Sequence, residues 1–192
     1  IQAGMRLSPV TVMRGFATTY VNIVRNTPLT LIIIFCSVGL YQNLGLALAP
    51  ENENFIENNN FWLAVLGFIL YTSTFVCETL RSGFNTVPLG QAEAARSLGL
   101  TFTQVFGIIV LPQAIRSVIG PMGSVLIALT KNTTIASVIG VAEASLLMKE
   151  EIETFSDQIV AIFVIIAVGF MIITLAEGFL FGYLAKRLAV KR

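Results

Sequence analysis

Histidine is absent from this chain of 192 residues, and cysteine occurs only at Cys36 and Cys77. Both cysteines lie inside apolar runs, where cysteine ordinarily serves as a small buried hydrophobic residue. A zinc site needs a cluster of histidine or thiolate ligands, and a disulfide framework needs several paired cysteines. The composition therefore argues against a metal site and against a disulfide-stabilised fold.

Charged residues are also scarce. They make up 12% of the chain, whereas 55% is hydrophobic and the mean hydropathy is +0.82. Because a soluble domain carries about 25% charged residues, this composition predicts a membrane protein in contact with lipid. The net charge of +1 is spread along the chain, so the sequence offers no basic surface for nucleic acid.

Sequence motifs for nucleotide binding, covalent catalysis and metal binding are missing as well. The sequence contains no GxxxxGK[ST] phosphate-binding loop, no GxSxG nucleophile motif and no cluster of metal-ligand residues. Such motifs are the usual signs of nucleotide binding and covalent catalysis. We therefore interpret the chain as a non-enzymatic subunit that binds no cofactor itself and draws its energy from a partner.

Long apolar segments dominate what is present. A spanning helix needs about 20 mostly apolar residues, and four segments qualify, at residues 20–44, 61–84, 119–141 and 158–184. The acidic and amide-rich stretches after the first and third segments are predicted to be aqueous loops. The sequence thus predicts an all-α polytopic membrane protein with four spans in a single domain, residues 1–192.

The distribution of lysine and arginine sets the orientation. Under a four-span topology, nine of the twelve cations lie on one side: Arg6, Arg14, Arg81, Arg96, Arg116, Lys186, Arg187, Lys191 and Arg192. The positive-inside rule makes that side cytoplasmic. The C-terminus and the connection between the second and third spans are therefore predicted to be cytoplasmic.

That connection, residues 85–118, predicts a short helix, a turn and a second helix. Good helix formers begin at Glu93, and Gly99 has the permissive backbone that ends a helix. Thr101, followed three residues later by Gln104, has the pattern of a capping box, and Pro112 is expected to interrupt the second helix. Taken alone, this hairpin either contacts a partner or only joins two spans.

The spacing in this connection resembles the cytoplasmic EAA signature of ABC-importer permeases. The matching residues are Glu93, Ala94, Ala95, Gly99, Ile109, Leu111 and Pro112. In that family the helix at the glutamate docks into a soluble ATPase and transmits its closure to the membrane helices. The resemblance implies an ATPase-coupling role for the first four of these residues.

Further blocks look like those of the polar amino acid permeases, and most like the glutamate-importer permeases of actinobacteria. In order, they are RNTPL (25–29), CETLRSG (77–83), GQAEAARSLGL (90–100), LPQA (111–114) and LTKNTTIASVIG (129–140). Two departures are visible: KNTT stands where many relatives have lysine, aspartate and then hydroxyl residues, and the family's additional N-terminal membrane helix is missing. The second departure suggests a truncated or partial chain.

This resemblance implies a type I ABC importer permease fold in the bacterial plasma membrane. It also implies four kinds of partner: a second, identical or homologous permease subunit, two cytoplasmic ATPase subunits that bind ATP and Mg, an extracytoplasmic amino-acid-binding protein, and membrane lipid.

Two cations lie at membrane depth, Arg25 in the first span and Lys131 in the third. An unpaired charge there costs at least about 2.5–3.5 kcal/mol, so each must face protein or water. Arg25 either snorkels to the interface or, like Lys131, pairs with a glutamate such as Glu78 or Glu177. The functional alternative is a substrate pathway lined by Arg25, Lys131, Asn132, Thr133 and Thr134, with donors for an amino acid carboxylate.

Four patterns predict helix packing. Pro28 is expected to bend or break the first span, and Glu78 and Arg81, three residues apart, to form a structural pair. Gly178 and Gly182 have the spacing of a helix contact. Small or polar residues recur at every fourth position of the third span, at Gly120, Ser124, Ala128, Asn132, Ala136 and Gly140. Because this row winds around the helix, we expect it to contact two neighbours.

Two other functions fit part of this pattern. An ion-coupled secondary amino acid transporter or channel would use Arg25, Glu78, Lys131 and Glu177 as a relay. A non-transporting scaffold would use the cytoplasmic hairpin only for docking.

Overall fold

The computed structural model describes residues 1–51 and 53–188, and this part of the chain is helical, without a β-strand. The helices are α1 (Gln2–Leu7), α2 (Thr11–Arg25), α3 (Leu29–Ile34), α4 (Phe55–Asn85), α5 (Leu89–Ser97), α6 (Phe102–Gln104), α7 (Leu111–Asn132), α8 (Ala144–Thr154) and α9 (Ile159–Leu188). The all-α prediction is confirmed. The terminal cations Lys191 and Arg192 lie outside the described residues.

Three helices are long and apolar enough to cross a membrane: α4, the continuous helix Phe102–Ile139 that contains α7, and α9. A fourth span results if α2 and the helix Leu29–Asn43, which begins with α3, count as one broken crossing. Three of the four predicted spans are therefore present among the described residues, and the fourth is present where the bent pair counts as one crossing; the third begins well before residue 119.

The first span is broken. α2 ends at Arg25, α3 begins at Leu29, and the two directions differ by 105°. Pro28 caps α3 and has no N–H with which to continue α2. The predicted break is confirmed, whereas the predicted bounds 20–44 were wrong: the helix begins at Thr11, in an amphipathic stretch that a search for apolar residues does not detect.

Pro112 does not interrupt its helix, so that prediction was wrong. Val105–Val110 forms a π-helical segment, and α7 continues directly from it with Pro112 near its start. A π-helical turn is wider than an α-helical one, which relieves the clash between a proline ring and the preceding turn. The capping box at Thr101 and Gln104 is confirmed.

Helices also occupy parts of the two predicted aqueous loops. α8 fills most of the acidic stretch after the third span, and Glu143 caps it by accepting hydrogen bonds from the N–H groups of Ser145 and Leu146 at 2.8 and 3.0 Å. α4 begins at Phe55, inside the other stretch. The loop prediction was wrong at these residues because polar side chains outside lipid are compatible with a capped helix.

α7 packs against α4 on one side and α9 on the other. A Cβ at Gly83 of α4 would lie 2.1 Å from Cγ1 of Val118, and one at Gly123 of α7 would lie 2.5 Å from Cβ of Phe181. Small residues permit such close helix contacts in a membrane. The two glycines therefore mark the tightest contacts of α7 with its neighbours.

As expected, the small-residue row of the third span contacts two neighbouring helices. At its N-terminal end, Gly120 faces Ala185 of α9, and at its C-terminal end Ala136 is buried against Ala64 of α4. In α9, a Cβ at Gly178 would lie 3.7 Å from Ile127, whereas Gly182 faces open space among the described residues. Only the first glycine of that predicted pair lies at a helix contact.

Candidate functional site

A cavity of about 290 Å³ lies between α4 and α7. The α4 wall is mostly aromatic, and the α7 wall includes three members of the small-residue row. The lining residues are Tyr71, Thr72, Phe75, Ser124, Val125, Ala128, Leu129 and Asn132. The middle of the small-residue row thus borders space instead of packing against a helix. The volume is near the lower end of the range for small-molecule sites, about 300–1,000 Å³.

Arg25 lies beside this cavity. Its guanidinium is 5.7 Å from the ring centroid of Phe75, a cation–π contact, and Phe75 lines the cavity. Arg25 is exposed and has no salt bridge with any described residue. The break between α2 and α3 therefore presents a cation next to the cavity without an ionic partner among the described residues, and the alternative in which Arg25 pairs with a glutamate is not observed.

Two other predicted pathway residues line different surfaces. Asn132 lines the cavity, whereas Thr133 lines a larger apolar groove of about 670 Å³ beside α4. The hydroxyl groups of Thr133 and Thr134 donate to the carbonyl oxygens of Thr130 and Lys131 at 2.7 and 2.9 Å. These two hydroxyl protons are therefore used within the helix, which leaves the oxygens as acceptors.

Lys131 is exposed and makes no salt bridge among the described residues. The alternative in which Lys131 pairs with Glu78 or Glu177 is not observed, because both glutamates have other partners. Glu78 binds arginines, and Glu177 accepts a hydrogen bond from the hydroxyl of Thr130 at 2.7 Å. No ion pair among the described residues therefore joins two members of the alternative ion relay.

Glu78 binds two arginines. Nε of Arg81 lies 3.4 Å from its Oε2, and Arg6 of α1 pairs with its Oε1. The Glu78–Arg81 contact is confirmed, but sequence reasoning missed Arg6, whose side chain is only 9% exposed. The available signal was indirect: residues 1–50 contain three arginines and no acidic residue, so a buried arginine there needs a distant partner.

The hairpin of residues 85–118 has the predicted helix and turn. α5 contains Glu93, Ala94 and Ala95; the first two are exposed and the third is buried. Gly99 has φ +87°, and the N–H groups of Gly99 and Leu100 donate to the carbonyls of Arg96 and Ala95 at 2.9 and 3.2 Å. These two bonds form a Schellman motif, so the predicted turn at Gly99 is confirmed.

Apolar side chains are exposed around this helix. Leu89 at its start and Leu98 just after its end are each 81% exposed, and Phe102 beyond the turn is 68% exposed. Exposed apolar patches rimmed by polar residues commonly mark interaction surfaces. Sequence reasoning missed these three residues because the signature contains none of them.

Two side-chain contacts join the hairpin to the spanning helices, and a third lies within it. Nε2 of Gln113 in α7 donates to Oε1 of Gln91 in α5 at 2.7 Å. Phe106 stacks on Phe84 of α4 and on Phe102, with centroid distances of 5.9 and 6.1 Å. Through these contacts α5 and the π-helical segment are connected to both α4 and α7.

Over residues 1–190 the chain matches the family described as binding-protein-dependent transport system inner membrane component. The glutamate transport system permease protein GluC of Corynebacterium efficiens is 62% identical over 193 residues, which cover 100% of this chain and 85% of that protein. Its namesake in Corynebacterium glutamicum is 64% identical over 189 residues, 98% of this chain and 83% of that protein.

The fold is also similar to that of a solved amino acid ABC transporter. The crystal structure of an amino acid ABC transporter with histidines matches 97% of this chain and 81% of its own, with a TM-score of 0.83 and 28% identity. The predicted ABC-importer permease fold and the non-enzymatic role of a transport subunit are confirmed. The chain belongs to the family of binding-protein-dependent transport system inner membrane components, as a permease subunit of an ABC importer.

Proposed function

We propose that this chain is the membrane pathway subunit of an ATP-driven importer for glutamate or a close relative. The observation that carries the proposal is the position of Arg25 at a helix break, in contact with Phe75 of the cavity wall and without an ion pair to any described residue. Interrupted membrane helices commonly occur at transporter substrate sites. The two corynebacterial relatives named as glutamate permeases support the same substrate.

Within the pathway, Arg25 is the principal donor for a substrate carboxylate. A guanidinium binds a carboxylate through two parallel hydrogen bonds, and Arg25 has no acidic partner among the described residues that would compete. Asn132 on the opposite wall supplies an amide for the polar groups of the amino acid. Lys131, Thr133 and Thr134 extend the pathway away from the cavity, with Lys131 attracting the second carboxylate of an acidic substrate.

A second permease subunit, identical or homologous, completes the pathway. Ser124 and Ala128 line the cavity yet remain exposed within the single chain. In a transport path open to lipid along one side, a polar substrate would lose hydration without gaining polar contacts, at a large cost in free energy. Packing of a second permease on this side encloses the path, and an amino-acid-binding protein delivers substrate from the extracytoplasmic face.

Two cytoplasmic ATPase subunits, which bind ATP and Mg, drive the transport cycle. The coupling-helix region, residues 85–118, docks on them through Glu93, Ala94 and Ala95, with Gly99 fixing the angle of α5. The exposed Leu89 and Leu98 flank this surface. When the ATPases close, the hydrogen bond between α5 and α7 and the aromatic stack on α4 carry the motion into the two helices that form the cavity.

The orientation follows from charge. Arg6 of α1, Arg14 of α2, the arginines of the coupling region and the cations at the C-terminal end lie on one side of the four-span topology, which the positive-inside rule makes cytoplasmic. This places α5 and the end of α9 in the cytoplasm of a bacterial cell, and α8 on the outer face of its plasma membrane.

Reconstitution of the complete transporter in proteoliposomes tests this function. We expect ATP-dependent uptake of labelled glutamate that an excess of unlabelled glutamate or aspartate competes strongly, and glutamine or arginine only weakly. Uptake that needs an ion gradient and proceeds without ATP would contradict the importer mechanism. Equal competition by arginine would contradict the assignment of an acidic substrate.

A further inference from the structure

The end of the third span differs from the rest of it. α7 gives way at Thr133 to a 3-10 helix, Thr133–Ile139, which ends at Gly140 with φ +76°. Hydrogen-bond geometry in a 3-10 helix is poorer than in an α-helix, and such segments within a longer helix often mark a hinge. The change occurs directly after Asn132, a residue of the cavity wall.

Apolar residues close the space between this 3-10 segment and α4. Ala136 and Val141 are buried against Ala64, and Phe68 and Ile139 pack around them. Along α4, these contacts lie on the extracytoplasmic side of Tyr71 and Phe75 in the proposed orientation. The cluster therefore plugs the path between the cavity and the outer face.

One side-chain hydrogen bond fastens this plug. Nδ2 of the half-buried Asn60, near the start of α4, donates to the carbonyl oxygen of Ile139 at 2.8 Å. Ile139 is the last residue of the 3-10 segment, so the bond holds the end of the segment against α4. Among the described residues, no ion pair joins the 3-10 segment to α4.

Helix geometry shows what releasing this bond permits. A 3-10 helix rises about 2.0 Å per residue and an α-helix about 1.5 Å. Conversion of the seven residues Thr133–Ile139 to α-helix would therefore retract the end by roughly 3.5 Å and rotate it by roughly 140°. The carbonyl oxygen of Ile139 would then lie out of reach of Asn60, and the plug would lose its packing.

We infer that Asn60 is a positioning residue that holds Thr133–Ile139 in the 3-10 form and thereby keeps the extracytoplasmic gate closed. The gate opens when this segment converts to α-helix. The inference rests on the proposed function, because it takes the α4–α7 cavity as the transport path.

The test measures access to the cavity from outside. In the complete transporter with Cys36→Ala and Cys77→Ala, Ser124→Cys places a single thiol of this chain on the cavity wall. Right-side-out membrane vesicles without ATP are treated with a membrane-impermeant maleimide. Asn60→Asp, which keeps the size of the side chain but removes the amide donor, is compared with the parent, and Asn60→Ala provides a second variant.

The matched control is Asn43→Asp. Nδ2 of Asn43 donates to the carbonyl oxygen of Val38 at 2.8 Å, so the lost donor is the same, but the bond lies within one helix. We expect both Asn60 variants to increase the labelling rate by about two- to tenfold, the equilibrium shift that corresponds to one net hydrogen bond, and Asn43→Asp to leave it unchanged. Unchanged labelling in both Asn60 variants, or an equal increase in Asn43→Asp, would overturn the inference.

Glutamate uptake by the parent complex is measured separately. If the parent imports glutamate with ATP while the Asn60 variants label like the parent, the gate assignment alone fails. If the parent shows no such uptake, the proposed function fails, whatever the labelling result.

Discussion

The guanidinium of Arg25 lies 5.7 Å from the ring centroid of Phe75, although the two residues belong to different membrane helices. The contact joins the break between α2 and α3 to the wall of the α4–α7 cavity. It thus brings a cation, an aromatic ring and a cavity together at the point where an acidic substrate would need them.

Replacement of Arg25 should weaken substrate recognition. We expect Arg25→Gln to raise the KM for glutamate uptake at least about tenfold, because a charge-assisted hydrogen bond contributes about 1.5–3 kcal/mol. Arg14→Gln is the matched control, since Arg14 is an exposed arginine of the same helix. Equal KM values for Arg25→Gln and the parent in a proteoliposome uptake assay would contradict the role of Arg25.

The turn at Gly99 should be needed for coupling. With φ +87°, Gly99→Asp imposes a left-handed backbone on a residue with a Cβ, at a cost of about 1–2 kcal/mol, and tilts α5. We expect ATP hydrolysis to continue while glutamate uptake falls at least about tenfold. Gly107→Ala is the control, because its φ is not positive and its Cβ would meet no described atom within 4 Å; uptake that stays proportional to hydrolysis in Gly99→Asp would argue against coupling.

Close packing of α7 should be sensitive to single methyl groups. Gly83→Ala and Gly123→Ala each create a contact shorter than 3.0 Å and are expected to destabilise the folded chain by about 1–3 kcal/mol. Gly182→Ala faces open space and should leave the melting temperature in detergent unchanged. Equal melting temperatures for all three variants would show that these helix contacts are looser than the structure indicates.

Substitutions of Glu78 and Arg81, which share an ionic cluster with Arg6, should differ in their effect on stability. Arg6 is 9% exposed, Glu78 24% and Arg81 42%. Glu78→Gln leaves the buried Arg6 without a counter-ion, at a cost of about 3–5 kcal/mol, whereas Arg81→Gln removes a partly solvated pair worth about 0–1 kcal/mol. Thermal unfolding should show a larger loss of stability for Glu78→Gln than for Arg81→Gln. A larger loss for Arg81→Gln would contradict this account of the cluster.

The sequence predicted features that depend on local chemistry. Four spans, the break at Pro28, the capping box at Thr101 and the left-handed turn at Gly99 all follow from residues a few positions apart. The Glu78–Arg81 contact follows from the spacing of one helical turn. Such features require no knowledge of which helices are neighbours.

Features that depend on tertiary contacts were missed. The pairing of Arg6 with Glu78 and the position of Arg25 over Phe75 join residues far apart in sequence, and no local pattern indicates either. The uninterrupted helix at Pro112 depends on a π-helical turn that propensity does not predict. The small-residue row of α7 indicated close packing, but only the structure shows that its middle borders a cavity.

The coupling of ATP hydrolysis to glutamate movement is the central claim, and Glu93→Lys tests it most directly. Glu93 is exposed on α5, so we expect reversal of its charge to leave the fold intact and to change only the proposed docking surface. In proteoliposomes that contain the complete transporter, ATP hydrolysis and uptake of labelled glutamate are measured together. We predict that the parent takes up glutamate in proportion to ATP hydrolysed and that Glu93→Lys loses this proportionality; equal uptake per ATP in the two proteins would contradict the account.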